Sequence, residues 1–68
     1  MVSEILKQYR SEHGISQREL AKQIGVTQAA VSLWERGERS PSIPLMRDIG
    51  ALTGAPAEEL LEPERRPP

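Results

Sequence analysis

Apolar residues recur every three or four positions through most of this chain, which predicts amphipathic helices. The first such stretch covers residues 2–13 and ends before Gly14, a residue that readily adopts the left-handed conformation common at helix C-termini. Its apolar positions are Val2, Ile5, Leu6 and Tyr9. No segment alternates apolar and polar residues with the β-branched enrichment of a strand, so we predict an all-helical protein.

Two short helices are predicted next, separated by three residues. Ser16 and Glu19 have the spacing of a capping box, in which a hydroxyl and a carboxylate each bind a free backbone N–H at the helix start. The second helix begins there and ends at Gly25, and Thr27 can cap a third helix that Gly37 closes. The predicted inward positions of these two helices are Leu20, Ala21, Ile24, Ala30, Val31 and Trp34.

A fourth and a fifth helix follow a polar loop. Ser42 can cap the fourth, which tolerates Pro44 in its first turn and ends at Gly54. Pro56 opens the short fifth helix. The predicted inward positions are Leu45, Met46, Ile49, Leu52, Leu60 and Leu61. The pattern therefore predicts five helices.

Composition limits this chain to one small domain. Its 68 residues contain no cysteine and a single histidine, so we predict neither a disulfide nor a metal site, and no cofactor. We place the domain at residues 1–62 and expect a disordered Pro/Arg tail at 63–68, either a natural tail or the start of a linker. No apolar run approaches the ~20 residues of a membrane span, and no secretion signal opens the chain, so a cytoplasmic location is expected.

Net charge argues only weakly for nucleic-acid binding. The formal charge is −1, but residues 1–40 carry six basic against five acidic side chains, and residues 41–68 carry three basic against five acidic ones. A DNA-binding face is therefore expected in the first part of the chain, with modest phosphate contact.

Residues 17–36 have the pattern of a helix-turn-helix, two short helices joined by a tight turn that contains glycine. Ala21 is small where the helices must cross closely, and Gly25 supplies the positive φ of the turn. Val31 and Trp34 fill the space beneath the second of the two helices. We assign these four residues structural roles, and for Trp34 a core position is favoured over stacking on a base.

The segment from Ser16 to Gly37 resembles the core motif of the Cro and phage-repressor helix-turn-helix family, and the resemblance covers about residues 4–62. It implies an all-α, compact five-helix lambda-repressor-like DNA-binding domain whose second and third helices form the helix-turn-helix. It also implies a transcriptional regulator, which we expect to be a repressor, that binds double-stranded DNA. The family further implies a homodimer on a near-palindromic operator with half-sites about 34 Å apart. Because so small a domain has little area to spare for an interface, we expect the dimer to be weak without DNA.

The face of the third helix that the core leaves free is the predicted base-reading surface. Gln28 has the amide that pairs with adenine N6 and N7, and Ala29 and Leu33 offer methyl groups to thymine. Ser32 can bond a base or a phosphate. The alternative for these residues is an ordinary solvated helix face, with Leu33 partly packed.

Phosphate contacts are expected on both sides of that helix. The resemblance implies that Gln17, at the start of the second helix, binds a phosphate where backbone N–H groups and the helix dipole assist. The further candidates are Thr27, Arg36, Arg39 and Ser40.

Glu35 lies one helical turn after Val31 and therefore leans towards the core. The resemblance implies that Arg10 of the first helix forms a structural pair with it.

Two other classes of function compete with DNA binding. An enzyme is disfavoured because the chain has no cysteine, one histidine, one aspartate and no glycine-rich phosphate loop. An antitoxin-like or adaptor module that binds a protein with the same fold is the serious alternative, and the net acidic charge keeps it open. The candidate dimer contacts near the fourth and fifth helices are Ala55, Pro56, Ala57 and Leu61.

Overall fold

The structure is a computed structural model, and it describes residues 1–63. Five helices follow one another along this part of the chain, and it contains no strand, which confirms the all-helical prediction. The helices are α1 (Val2–His13), α2 (Gln17–Ile24), α3 (Gln28–Glu35), α4 (Ile43–Thr53) and α5 (Ala57–Leu60). Apart from Pro63, the tail predicted to be disordered lies outside the described residues.

The two helices of the helix-turn-helix begin with side-chain caps. Ser16 Oγ accepts a hydrogen bond from Glu19 N at 3.1 Å, and Thr27 Oγ1 accepts one from Ala30 N at 3.2 Å. Each bond satisfies an amide that has no partner within its own helix. The reciprocal bond expected from the Glu19 carboxylate does not form within the described residues, so only half of the predicted capping box is present.

The start of α4 differs from the prediction. Ser42 lies at the capping position, but its side chain forms no cap hydrogen bond. One of the two backbone donors that a capping side chain normally reaches belongs to the second helical residue, here Pro44, which has no N–H. The helix therefore begins with the φ angle that the proline ring imposes and with a backbone bond from Met46 N to Ser42 O at 2.8 Å.

The core lies where the first four helices meet. Leu6, Leu20, Val31 and Ile49 come from four different helices and are fully enclosed. Burying each such side chain contributes about 1.5–3 kcal/mol relative to leaving it exposed. Because every one of the four helices supplies one of these residues, the orientation of α2 and α3 depends on packing against α1 and α4.

The fifth helix closes this core with one leucine rather than the predicted two. Leu60 is buried, whereas Leu61 is 58% exposed, so the prediction that Leu61 turns inward is wrong. The helix ends at Leu60, and successive residues on a helix point about 100° apart, so a single turn directs only one of two adjacent leucines at the core. The N-terminal ammonium of Met1 donates to Glu59 O at 2.6 Å and ties α5 to the start of α1.

No helix within residues 1–63 is both long enough and apolar enough to cross a membrane.

Candidate nucleic-acid interface

The turn between α2 and α3 is closed by two backbone bonds to one carbonyl. Gly25 N and Val26 N donate to Ala21 O at 2.8 and 2.9 Å. Gly25 has φ +90°, a conformation that side-chain-bearing residues rarely adopt. Ala21 is buried where the two helices cross, so the turn and this small side chain together set the angle between α2 and α3.

One face of α3 is buried and the opposite face is open. Val31 and Trp34 face the core, whereas Gln28 and Ala29 are exposed at the beginning of the helix. Ser32 and Leu33 continue the open face and are half-buried. The predicted base-reading residues thus lie together along the outer side of one helix.

The phosphate candidates lie around this helix. Thr27 is exposed at the start of α3, where its hydroxyl oxygen accepts the capping bond and its proton remains available to a ligand. Arg39 and Ser40 are exposed in the loop that follows α3. Arg36 has a partner of its own, because its Nε lies 2.5 Å from Glu38 Oε2, and both side chains are more than half exposed.

Arg10 and Glu35 form a two-pronged ion pair that joins α1 to the end of α3. Arg10 Nε donates to Glu35 Oε2 at 2.7 Å, and Arg10 Nη2 donates to Glu35 Oε1 at 2.8 Å. The Glu35 side chain is only 3% exposed, and that of Arg10 is 25% exposed. Arg10 Nη1 also donates to Ile15 O at 3.4 Å, so the same guanidinium reaches the loop that leads into α2.

Gln17 joins this pair. Its Nε2 donates to Glu35 Oε1 at 3.1 Å, so this carboxylate oxygen accepts bonds from both α1 and α2. The first residue of α2 is thereby bonded to the last residue of α3.

The electrostatics of Glu35 follow from these contacts. Burial by itself raises the pKa of Glu35, but hydrogen bonds from Arg10 and Gln17, together with the charges of Arg10 and Lys7, outweigh it and hold the pKa below its ordinary value. The hydrogen bond to Glu35 raises the pKa of Arg10, against the opposing effect of burial. Both partners are therefore charged at neutral pH.

Sequence reasoning did not identify two of these contacts. The bond between Gln17 and Glu35 depends on the distance between two helix ends, and no spacing along the chain shows it. The pair of Arg36 and Glu38 lies beyond the last turn of α3, where helical spacing rules do not apply. Opposite charges flanking Gly37 were the only signal for that pair.

Comparison with known proteins agrees with this geometry. The sequence model of a family described as helix-turn-helix matches residues 6–60, which is most of the chain. The chain belongs to the Cro and phage-repressor helix-turn-helix family. Its members are DNA-binding transcriptional regulators, and the matched segment contains all of α2, α3, α4 and α5.

Proteins similar to this chain occur in archaea and bacteria. The chain is 33% identical to an uncharacterized HTH-type transcriptional regulator of Archaeoglobus fulgidus, over 81% of this chain and 79% of the relative. It is 34% identical to another such protein of Methanocaldococcus jannaschii, over 81% and 83%. It is also 35% identical to the HTH-type transcriptional regulator SinR of Bacillus subtilis, over 91% of this chain and 57% of SinR. No solved structure shows a significant match.

Among residues 1–63, no group of three or more histidine, cysteine, aspartate or glutamate side chains is arranged to hold a metal ion.

Proposed function

We propose that this domain recognises an operator in double-stranded DNA by placing α3 in the major groove. The observation that carries the proposal is the division of α3 into a buried face and an open face, with Gln28 exposed at the N-terminal end of the open face. Recognition helices of this type contact base edges with their N-terminal residues.

The side chains of the open face have the chemistry for direct readout. The Gln28 amide pairs with adenine when its N–H donates to N7 and its oxygen accepts from N6, and such a pair discriminates against other bases by about 1–3 kcal/mol. Ala29 and Leu33 contact thymine methyl groups, and Ser32 bonds a base or a phosphate. The half-burial of Leu33 restricts its contact to the outer part of the side chain.

Phosphate contacts hold the helix in register. Gln17 is the first residue of α2 and Thr27 caps the start of α3, and at both places backbone N–H groups and the helix dipole favour an anion. Arg39 and Ser40 reach a phosphate from the loop after α3. Arg36 reaches a DNA phosphate by leaving its ion pair with Glu38. This costs little free energy because an exposed ion pair contributes about 0–1 kcal/mol.

A second copy of the chain binds the other half-site. Ile43 and Leu61 are the two exposed large hydrophobic side chains of the described residues, and both line a groove of about 430 Å³ between α4 and α5. Ala55 and Ala57, expected at the dimer interface, line the same groove, whereas Pro56 lines another. Because the apolar area is small, the dimer is weak until DNA holds both copies.

Regulation follows from occupancy of the operator. A domain bound across a promoter excludes polymerase, so we propose that the protein represses transcription, acts in the cytoplasm and works by binding rather than by catalysis. One relative, from Enterococcus faecalis, is named a transcriptional activator, so the direction of regulation needs its own measurement. A reporter gene behind the selected operator should lose expression when the protein is supplied.

The deciding experiment is selection of duplexes from a random DNA pool, followed by titration of the selected sequence with the wild type, Gln28→Ala and Gln8→Ala. Gln8 is exposed on α1 and lines a groove with the loop between α4 and α5, so it is a matched glutamine away from α3. We expect a near-palindromic motif, with preference relaxed at one base pair per half-site for Gln28→Ala alone. Absence of any motif, with feeble binding even at low salt, would mean that the fold serves a protein partner.

A further inference from the structure

The phosphate contact proposed for Gln17 depends on how its amide is oriented, and the structure supplies a group that orients it. A glutamine amide has two N–H donors and one carbonyl oxygen, and only the donors attract a phosphate. Glu35 carries a carboxylate, which at neutral pH accepts hydrogen bonds and cannot donate them. The 3.1 Å contact from Gln17 Nε2 to Glu35 Oε1 therefore excludes the flipped amide, which would bring two oxygens together.

Glu35 is itself held in place. The fork of Arg10 binds both of its carboxylate oxygens, at 2.7 and 2.8 Å, and the side chain is 3% exposed. Both bonds are charge-assisted, the stronger class of hydrogen bond. The carboxylate plane is consequently fixed relative to α1, and Oε1 is presented to Gln17 from a constant position.

We propose that Glu35 is a positioning residue for DNA binding, which holds one amide proton of Gln17 so that the second is presented to a DNA phosphate. This inference rests on the proposed function of the domain. Its physical benefit is that the rotamer freedom of Gln17 is lost on folding rather than on binding. Immobilising a long side chain on binding otherwise lowers affinity about 2- to 12-fold.

The arrangement also links two parts of the interface. Gln17 is the first residue of α2 and Glu35 is the last residue of α3, so the bond between them fixes the phosphate contact relative to the base-reading helix. When Gln17 binds its phosphate, α3 is therefore also held at a fixed position relative to the DNA.

The test is a cycle of four proteins measured on the selected operator: the wild type, Gln17→Met, Arg10→Met/Glu35→Leu, and the combination of all three changes. The Arg10→Met/Glu35→Leu change removes the acceptor from Gln17 without altering net charge and without leaving a buried charge unpaired. Methionine at 17 keeps the length of the side chain and removes its donors. Each protein is measured at a temperature at which circular dichroism shows it to be folded.

We expect Gln17→Met to lower affinity about tenfold in the wild-type background, as the loss of one hydrogen bond to a charged phosphate predicts. In the Arg10→Met/Glu35→Leu background the same change should lower affinity less than about twofold, because Gln17 is no longer held. Because Gln17 is neutral, the salt dependence of binding should be unchanged by Gln17→Met in either background. An equal fold-loss of affinity on Gln17→Met in both backgrounds would overturn the proposal. If Glu35 had a purely structural role, its removal would leave the effect of Gln17→Met unchanged.

A second measurement decides the question if the Arg10→Met/Glu35→Leu variant does not fold. In the wild type, NMR resolves the two side-chain amide protons of Gln17. One should be displaced from its ordinary shift and protected from exchange in the free protein, and the other should move when operator is added. Two unprotected protons at ordinary shifts would overturn the proposal. Failure of the wild type to bind any DNA would instead remove the proposed function, and the free-protein spectrum would still report on the bond to Glu35.

Discussion

The ion pair between Arg10 and Glu35 allows a quantitative test of what holds the helix-turn-helix against α1. Arg10→Met removes the main partner of a carboxylate that is 3% exposed and leaves the amide of Gln17 as its remaining side-chain donor. Breaking a buried pair from one side costs about 3–5 kcal/mol. Arg10 is 25% exposed, so water can reach part of the vacated space, and we expect the lower end, about 3 kcal/mol.

This loss is large compared with the stability of so small a domain. A core of this size supplies about 3–5 kcal/mol, so Arg10→Met should be close to its unfolding midpoint at room temperature. In thermal unfolding the loss corresponds to a decrease in Tm of roughly 12–24 °C. Arg10→Met/Glu35→Leu replaces both charges with apolar groups of similar size, and the variant should recover most of the loss because no buried charge remains unpaired.

The assay is urea and thermal unfolding followed by circular dichroism. Arg36→Met is the matched control, since its partner Glu38 is exposed and the pair should contribute less than about 1 kcal/mol. Constant m-values across the set would show that the free energies of unfolding are comparable. The reasoning is refuted if the variant with both changes is as unstable as Arg10→Met, or if Arg36→Met costs as much.

Three further predictions concern individual residues. The pKa of Glu35 is lower in the folded than in the unfolded protein, so the stability that the ionised Glu35 contributes is complete above about pH 5 and is lost as the pH falls through the folded pKa. Glu35→Gln should therefore flatten the acid-unfolding profile below about pH 4. An unchanged slope would contradict the lowered pKa of Glu35. Thr27→Ala should reduce the free energy of unfolding by about 1 kcal/mol and Ser42→Ala by only a few tenths, because of these two side chains only that of Thr27 caps its helix. Equal losses in urea titrations would contradict this difference in capping. Gly25→Ala should destabilise by about 1 kcal/mol although the site has room for the methyl group, and Gly25→Asn should cost less because asparagine tolerates a positive φ; the reverse order of Tm values would show that backbone strain is not the cause.

The helices and their bounds were determined by features that act within a few residues. The period of the apolar positions, the caps at Ser16 and Thr27 and the turn at Gly25 all operate over distances shorter than one helix, so they can be read from the chain. The same local order made the open face of α3 predictable, because residues that are not on the buried stripe of a helix must lie on the other side.

The tertiary structure decided where helix ends meet and which side chains remain uncovered. The bond from Gln17 to Glu35 exists because the core brings the first residue of α2 next to the last residue of α3, a distance that no local pattern encodes. Leu61 is exposed because α5 is one turn long and Leu60 occupies its only inward position. Local sequence thus determined the helices and the candidate reading face, whereas the network that orients the phosphate contact required packing between helices, since hydrogen bonds depend on separations of about 3 Å that only the folded core sets.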